Sequence, residues 1–167
     1  MTGVTLLVAA AGTLLADQPA HKVTFSANTV PGLDAVVDLE IRNISDEFVE
    51  SKATFLLTLQ PLDPSTYPLF DGILSAQVSP HTGLNEDRES RRTAGLLRLA
   101  PGGVKVARVR LPDLLWSLGP NWVWQPRSFW ELARSGEYEL FTQLVFDDLR
   151  LGHGPNLATL RIHVAGR

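Results

Sequence analysis

Residues 37–42 read Val-Asp-Leu-Glu-Ile-Arg, a strict alternation of aliphatic and charged side chains. Successive side chains of a strand point to opposite faces, so this segment puts Val37, Leu39 and Ile41 on one face and Asp38, Glu40 and Arg42 on the other. A helix would scatter the same residues around its circumference. Thr54 to Gln60 repeats the pattern with Phe55, Leu57 and Leu59. Val23 and Phe25 alternate with Lys22, Thr24 and Ser26, and Leu74, Ala76 and Val78 with Ser75 and Gln77. Tyr138, Leu140, Thr142, Leu144 and Phe146 share one face; Ala158, Leu160, Ile162 and Val164 share another, opposite Thr159, Arg161 and His163. One run slips phase: Val104 and Val106 occupy even positions, Val109 and Leu111 odd ones. A β-bulge near Ala107-Arg108 is expected there, or a change of sheet.

About nine such strands are separated by turn-rich segments. Alternation of this kind suits antiparallel sheets with one solvated face, and two such sheets bury their apolar faces against each other. The expected fold is all-β, an antiparallel sandwich with little helix. Short helices are expected only at Arg127–Arg134, ended by Gly136, and within Leu111–Leu118. The loop from Asn43 to Lys52 reads as a polar connection between two strands.

The 167 residues suit one domain, with no linker or repeat dividing them. There is no cysteine, which excludes a disulfide framework, a thiolate zinc or copper site and a cysteine nucleophile. A net charge of -3 gives no electrostatic footprint for nucleic acid. No apolar run reaches the ~18 residues of a membrane span. The apolar stretch Val4–Ala16 is read as a first strand, in which Val4, Leu6 and Val8 alternate, ahead of the h-region of a secretory signal. No basic residue precedes it, and Leu14 is large for a position three before a cleavage site. The compartment stays open between cytoplasmic and secreted or periplasmic.

Leu99-Ala100-Pro101-Gly102-Gly103 before one strand and Ser135-Gly136-Glu137-Tyr138-Glu139-Leu140 opening another resemble the turn and the "Gly-x-Tyr" strand start of bacterial immunoglobulin-like domains. The Asn43–Asp46 loop fits the same picture. The resemblance covers the chain from about Lys22 and implies an immunoglobulin-like sandwich, with no activity attached, because such folds host many roles. The chain departs from the pattern in lacking the inter-sheet cysteine pair and in its length. The excess lies in two inserts, near 61–92 and 112–134.

Catalytic and metal chemistry finds no support in the sequence. His21, His81, His153 and His163 share no short spacing. Asp147-Asp148 and Glu86-Asp87 with Glu89 lack the spacing of a calcium loop and read as solvated turns. Asn85–Arg92, with three acids and three arginines, reads as a mobile, solvated loop. No Gly-x-Ser-x-Gly and no phosphate loop occurs. Asn43-Ile44-Ser45 matches a glycosylation triplet, a pattern that arises often by chance. No catalytic residue, metal ligand or cofactor is nominated, and the chain is read as a non-enzyme.

All four tryptophans fall in one stretch: Trp116, Trp122, Trp124 and Trp130. Gly119-Pro120 and Gln125-Pro126 punctuate it. It reads as a local mini-core, as a recognition patch for a protein partner or a second copy, or as a sugar platform with Asn121, Gln125 and Arg127 as hydrogen-bonding groups. Phe141, with Val145, adds an apolar pair on a face expected to be solvated. The leading functional expectation is a binding or assembly module presenting a β-edge or the tryptophan-rich loop to a protein. The alternatives are a carbohydrate-binding accessory domain, or a protease inhibitor of immunoglobulin-like fold using the loops Pro61–Phe70 or Ser79–Arg92.

Overall fold

The computed structural model describes residues 22–63, 73–86, 88–118, 126–147 and 157–166. The alternation at 37–42 forms β2 (Val36–Asn43), with Val37, Leu39 and Ile41 fully buried. β2 is the middle of a three-stranded antiparallel sheet, between β1 (Val23–Thr29) and β7 (Val104–Arg110). The second sheet has six strands in the order β11-β10-β4-β5-β8-β9. These are β11 (Leu157–Val164), β10 (Gly136–Phe146), β4 (Ala53–Pro61), β5 (Leu74–Val78), β8 (Leu115–Leu118) and β9 (Arg127–Ser128). β3 (Val49–Ser51) and β6 (Leu97–Leu99) pair as a small third sheet. Every pairing is antiparallel.

The inward faces of the two larger sheets share one core. Phe25 from β1 meets Phe55 from β4 with ring centroids 5.5 Å apart. Phe55, Leu57 and Leu59 are fully buried, as are Tyr138 and Leu140 on β10. Burying each such side chain stabilises the fold by roughly 1.5–3 kcal/mol.

The long strands lie where alternation puts them, but several expectations need correction. The described residues hold eleven strands where about nine were expected. The expected first strand at Val4–Ala16 lies outside the described residues. No bulge interrupts β7: its register with β2 runs unbroken from Val36↔Arg110 to Arg42↔Val104. The phase slip arises because Val104 and Val106 face solvent, 43% and 46% exposed, while Ala107 and Val109 are buried. Lys105 occupies an inward position near the sheet's end, half-buried, where a long aliphatic stem can be covered and its ammonium stay wet. Leu111–Leu118 is one 3₁₀ turn (Leu111–Asp113) followed by strand β8. The helix expected over Arg127–Arg134 shrinks to the single turn α2 (Phe129–Leu132), because Arg127 and Ser128 pair with β8 instead. The loop from Asn43 to Lys52 contains β3. The charge run expected as a loop forms α1 (Arg88–Thr93), whose Thr93 hydroxyl bonds the Glu89 carbonyl one turn back. Lys52 Nζ bonds the Arg92 carbonyl near its end, 3.0 Å away. Nor is that run wholly solvated. Glu86 is buried and accepts a 2.6 Å hydrogen bond from Thr54 Oγ1.

Asn43 ends β2 and is fully buried. Its Nδ2 donates to the carbonyls of Glu47 (2.7 Å), Leu99 (3.0 Å) and Ala100 (3.0 Å). Three acceptors for two hydrogens make one of these bonds shared. Its Oδ1 accepts from the backbone and hydroxyl of Ser45, at 2.9 and 2.8 Å. Its backbone bonds Gly102 and Gly103. The side chain therefore clamps the β2–β3 loop to the turn between β6 and β7. An amide so enclosed is no acceptor for a glycan in the folded chain.

Two glycines hold left-handed turns for different reasons. Gly102, at φ +71°, faces open space, whereas a Cβ on Gly83, at φ +70°, would lie 2.4 Å from the Arg108 carbonyl oxygen. The Ser79–Leu84 turn is thus pressed against the outer edge of β7.

Asn43→Ala is expected to cost about 3 kcal/mol, because it leaves buried carbonyls without donors; urea denaturation measures it. Gly102→Ala should cost about 1 kcal/mol from backbone strain alone, and Gly83→Ala about 3 kcal/mol, since strain and collision add. Equal losses in the same titration would contradict the close approach to Arg108.

Candidate functional site

The tryptophan-rich insert begins as β8 leaves the 3₁₀ turn. Trp116 is fully buried, and its indole N–H donates to the Leu111 carbonyl at 3.0 Å. As a core residue with its donor used, it offers nothing to a ligand. Trp116 lies opposite Arg127 and Leu115 opposite Ser128, so β8 and β9 form a paired stem at the end of the six-stranded sheet. Residues 119–126 join its two strands.

The far side of the stem is fixed by aromatic packing. Phe129 is fully buried, 5.0 Å from Trp130 in an edge-to-face contact and 5.7 Å from Tyr138. Such contacts add about 0.5–1.5 kcal/mol beyond area burial. Trp130 is half-buried against the core, and Arg127 is exposed. Ser128 Oγ bonds Glu131 Oε1 at 3.0 Å across the single turn of α2.

The two inserts are tied together. Asn85 Nδ2 donates to the Leu115 carbonyl at 2.9 Å, and Leu115 N–H donates to Asn85 Oδ1 at 2.7 Å. One side-chain amide thus bonds the edge of β8 as a neighbouring strand would. Sequence reading missed Asn85, whose only signal was its place at the head of a charge run.

Of the eight residues singled out in the sequence, Trp116 is core, Trp130 is half-buried and Arg127 is exposed beside them. Trp122, Trp124, Asn121 and Gln125 lie outside the described residues. Phe141 belongs elsewhere. It is 37% exposed on the outward face of β10, opposite Thr58 of β4 and Thr159 of β11. β10 is three strand positions from β8, about 14 Å at the usual spacing. Leu56 and Val145, half-buried, and Leu157, 62% exposed, extend that outward apolar face.

Groups with acid–base chemistry are dispersed. His81 Nε2 is 3.0 Å from the Gly95 carbonyl, and His163 Nδ1 is 2.7 Å from Glu137 Oε1 on the exposed face of β11 and β10. His21 and His153 lie outside the described residues, as does most of Pro61–Phe70. Among the described residues no three His, Asp or Glu side chains are grouped to hold a metal. Nor is any helix among them long and apolar enough to cross a membrane.

The outward face of the three-stranded sheet carries its own electrostatics. Arg108 grips Asp38 with two bonds of 2.8 Å, and Arg42 bonds Glu40 on the same strand at 2.9 Å. The Arg108 hydrogen bond, aided by its charge, holds the Asp38 carboxyl below its ordinary range, against a smaller opposing effect of burial. Burial pushes the Tyr138 hydroxyl up, partly offset by its bond to the Arg134 carbonyl.

A lowered folded pKa contributes stability above the unfolded value of about 3.9, and that contribution fades as pH falls through the folded value. The stability gap between the native chain and Asp38→Asn should therefore be constant above about pH 5 and close in the acid limb. Urea titrations across pH 2–7 measure it; a gap that widens with acid would contradict the pairing.

No protein-family model matches this chain, and no curated protein is significantly similar to it.

Proposed function

We propose that this chain is a non-enzymatic binding or assembly module of immunoglobulin-like sandwich fold, which presents the connection between β8 and β9 to a protein partner. The fold reading is supported by strand order. β1-β2-β7 opposite β11-β10-β4 follows the A-B-E and G-F-C sheets of such domains. It is supported also by Tyr138, near the start of β10, whose hydroxyl donates to the Arg134 carbonyl four residues upstream, as in the tyrosine corner of those folds.

The observation that carries the functional reading is the β8–β9 stem. Residues 119–126, which include Trp122 and Trp124, join two paired strands whose flanks are held by the buried Trp116 and Phe129. A rigid stem carrying tryptophans in its loop is a common arrangement for recognition, because the scaffold removes the ordering cost and indoles supply large contact areas. The histidines add no catalytic argument, since His81 and His163 each face a different local partner.

Affinity capture of the tagged chain from its native source, followed by cross-linking, tests the proposal. The captured protein should cross-link near 119–126, and Trp122→Ala with Trp124→Ala should weaken binding by about 100-fold or more. The same double variant should leave the unfolding midpoint within a few degrees of native. Binding to a glycan array instead, lost in that variant, would replace the protein-partner reading with the carbohydrate one.

A further inference from the structure

The outward face of the three-stranded sheet is charged at one end and apolar at the other. Arg108 and Asp38 occupy the charged end, and the Gly83 turn lies against the β7 edge there. Towards the other end, Val106 lies opposite Glu40 and Val104 opposite Arg42, both valines exposed. Alternation beyond Arg42 and the buried Asn43 brings Ile44, 53% exposed, to the same outward side. Phe48, four residues on in the same loop, is 75% exposed and the most exposed large hydrophobic side chain among the described residues. β7 also terminates its sheet, so alongside Val104 and Val106 no further strand pairs with it among the described residues.

The chain enters the described structure at this end. Ile44 N–H donates to the Lys22 carbonyl at 2.9 Å, and the Lys22 ammonium pairs with Glu47. Residues 1–21 are thus tethered beside Ile44. They contain Val4–Ala16, an uncharged apolar run, joined to Lys22 by the five residues Asp17–His21. Five extended residues reach about 17 Å. The path from β1 across β2 to β7 is about 10 Å at the usual strand spacing. A tether of that length holds the run near millimolar effective concentration at the patch. Four exposed apolar side chains and an uncharged segment within reach are complementary surfaces, and the free edge of β7 offers bonding partners for the segment's backbone.

We propose that Val4–Ala16 of this same chain docks on Ile44, Phe48, Val104 and Val106. The occupant is intramolecular. It requires no second copy, membrane or partner, and it leaves the β8–β9 connection untouched.

The absence of native cysteine makes a clean test, since any introduced thiol is the only one in the chain. Phe48→Cys and Val106→Cys in the full chain are expected to react with a maleimide at least tenfold more slowly than the same variants also carrying Leu6→Asp and Val8→Asp. Asp46→Cys, on the same loop outside the patch, should react at one rate in both backgrounds. Should the double aspartate variant fail to fold, Leu6→Cys with Phe48→Cys should still form an intramolecular disulfide at nanomolar protein concentration, detected by mass spectrometry. Equal maleimide rates in the two backgrounds, no such disulfide, or protection that vanishes on dilution would each overturn the proposal. So would a native-source chain whose first residue lies beyond Ala16.

Discussion

The enclosed amide of Asn43 joins parts of the fold that no sheet joins directly. Its donors reach Leu99 and Ala100, more than fifty residues away in sequence, while its acceptor oxygen holds Ser45 next door. The turn into β7 is thereby fixed against the exit of β2, which sets the β2–β7 register that keeps Ala107 and Val109 inward. Around this clamp the core is purely apolar packing, with Phe25 on Phe55 and Trp116, Phe129 and Tyr138 closing the other side. No disulfide is available to share the task, so polar satisfaction at a few buried sites must be complete. Among the described residues, no buried side-chain nitrogen or oxygen lacks a partner.

A second regularity concerns how the sheets finish. Each terminal strand invites further pairing. β8 finds its partners in β9 and in the side chain of Asn85, which imitates a strand with one amide. β7 is shielded at one end by a glycine turn too close for any Cβ. The two inserts that lengthen the chain therefore act largely on edges: one adds the β8–β9 stem, and the other covers β7 and braces β8.

Long strands were legible because alternation over five or more residues leaves few other foldings. β2, β4, β5 and β10 bury the residues that the period selects. β3, β6, β8 and β9 have two to four residues each, too few for a period to show. The phase slip in β7 misled for a physical reason. Hydrophobicity was read as burial, yet two valines stand on the outward face while a lysine stem takes an inward place. Of the site, the clustering of the tryptophans was visible, but their division into core and surface was not. That division depends on Leu111 supplying a carbonyl to one indole and on β9 pairing with β8, neither of which has a local signature.

The position of β10 has a consequence during synthesis. It pairs with β4 along nearly the whole length of both strands, yet about 75 residues separate the end of one from the start of the other. At a ribosomal rate of about 5–20 residues per second, β4 waits several seconds with one side unpaired. During that interval Phe55, Leu57 and Leu59 form a bare apolar ribbon. A nascent chain of this kind is a natural client for a ribosome-associated chaperone, and its yield should depend more on the speed of translation than on the stability of the finished protein.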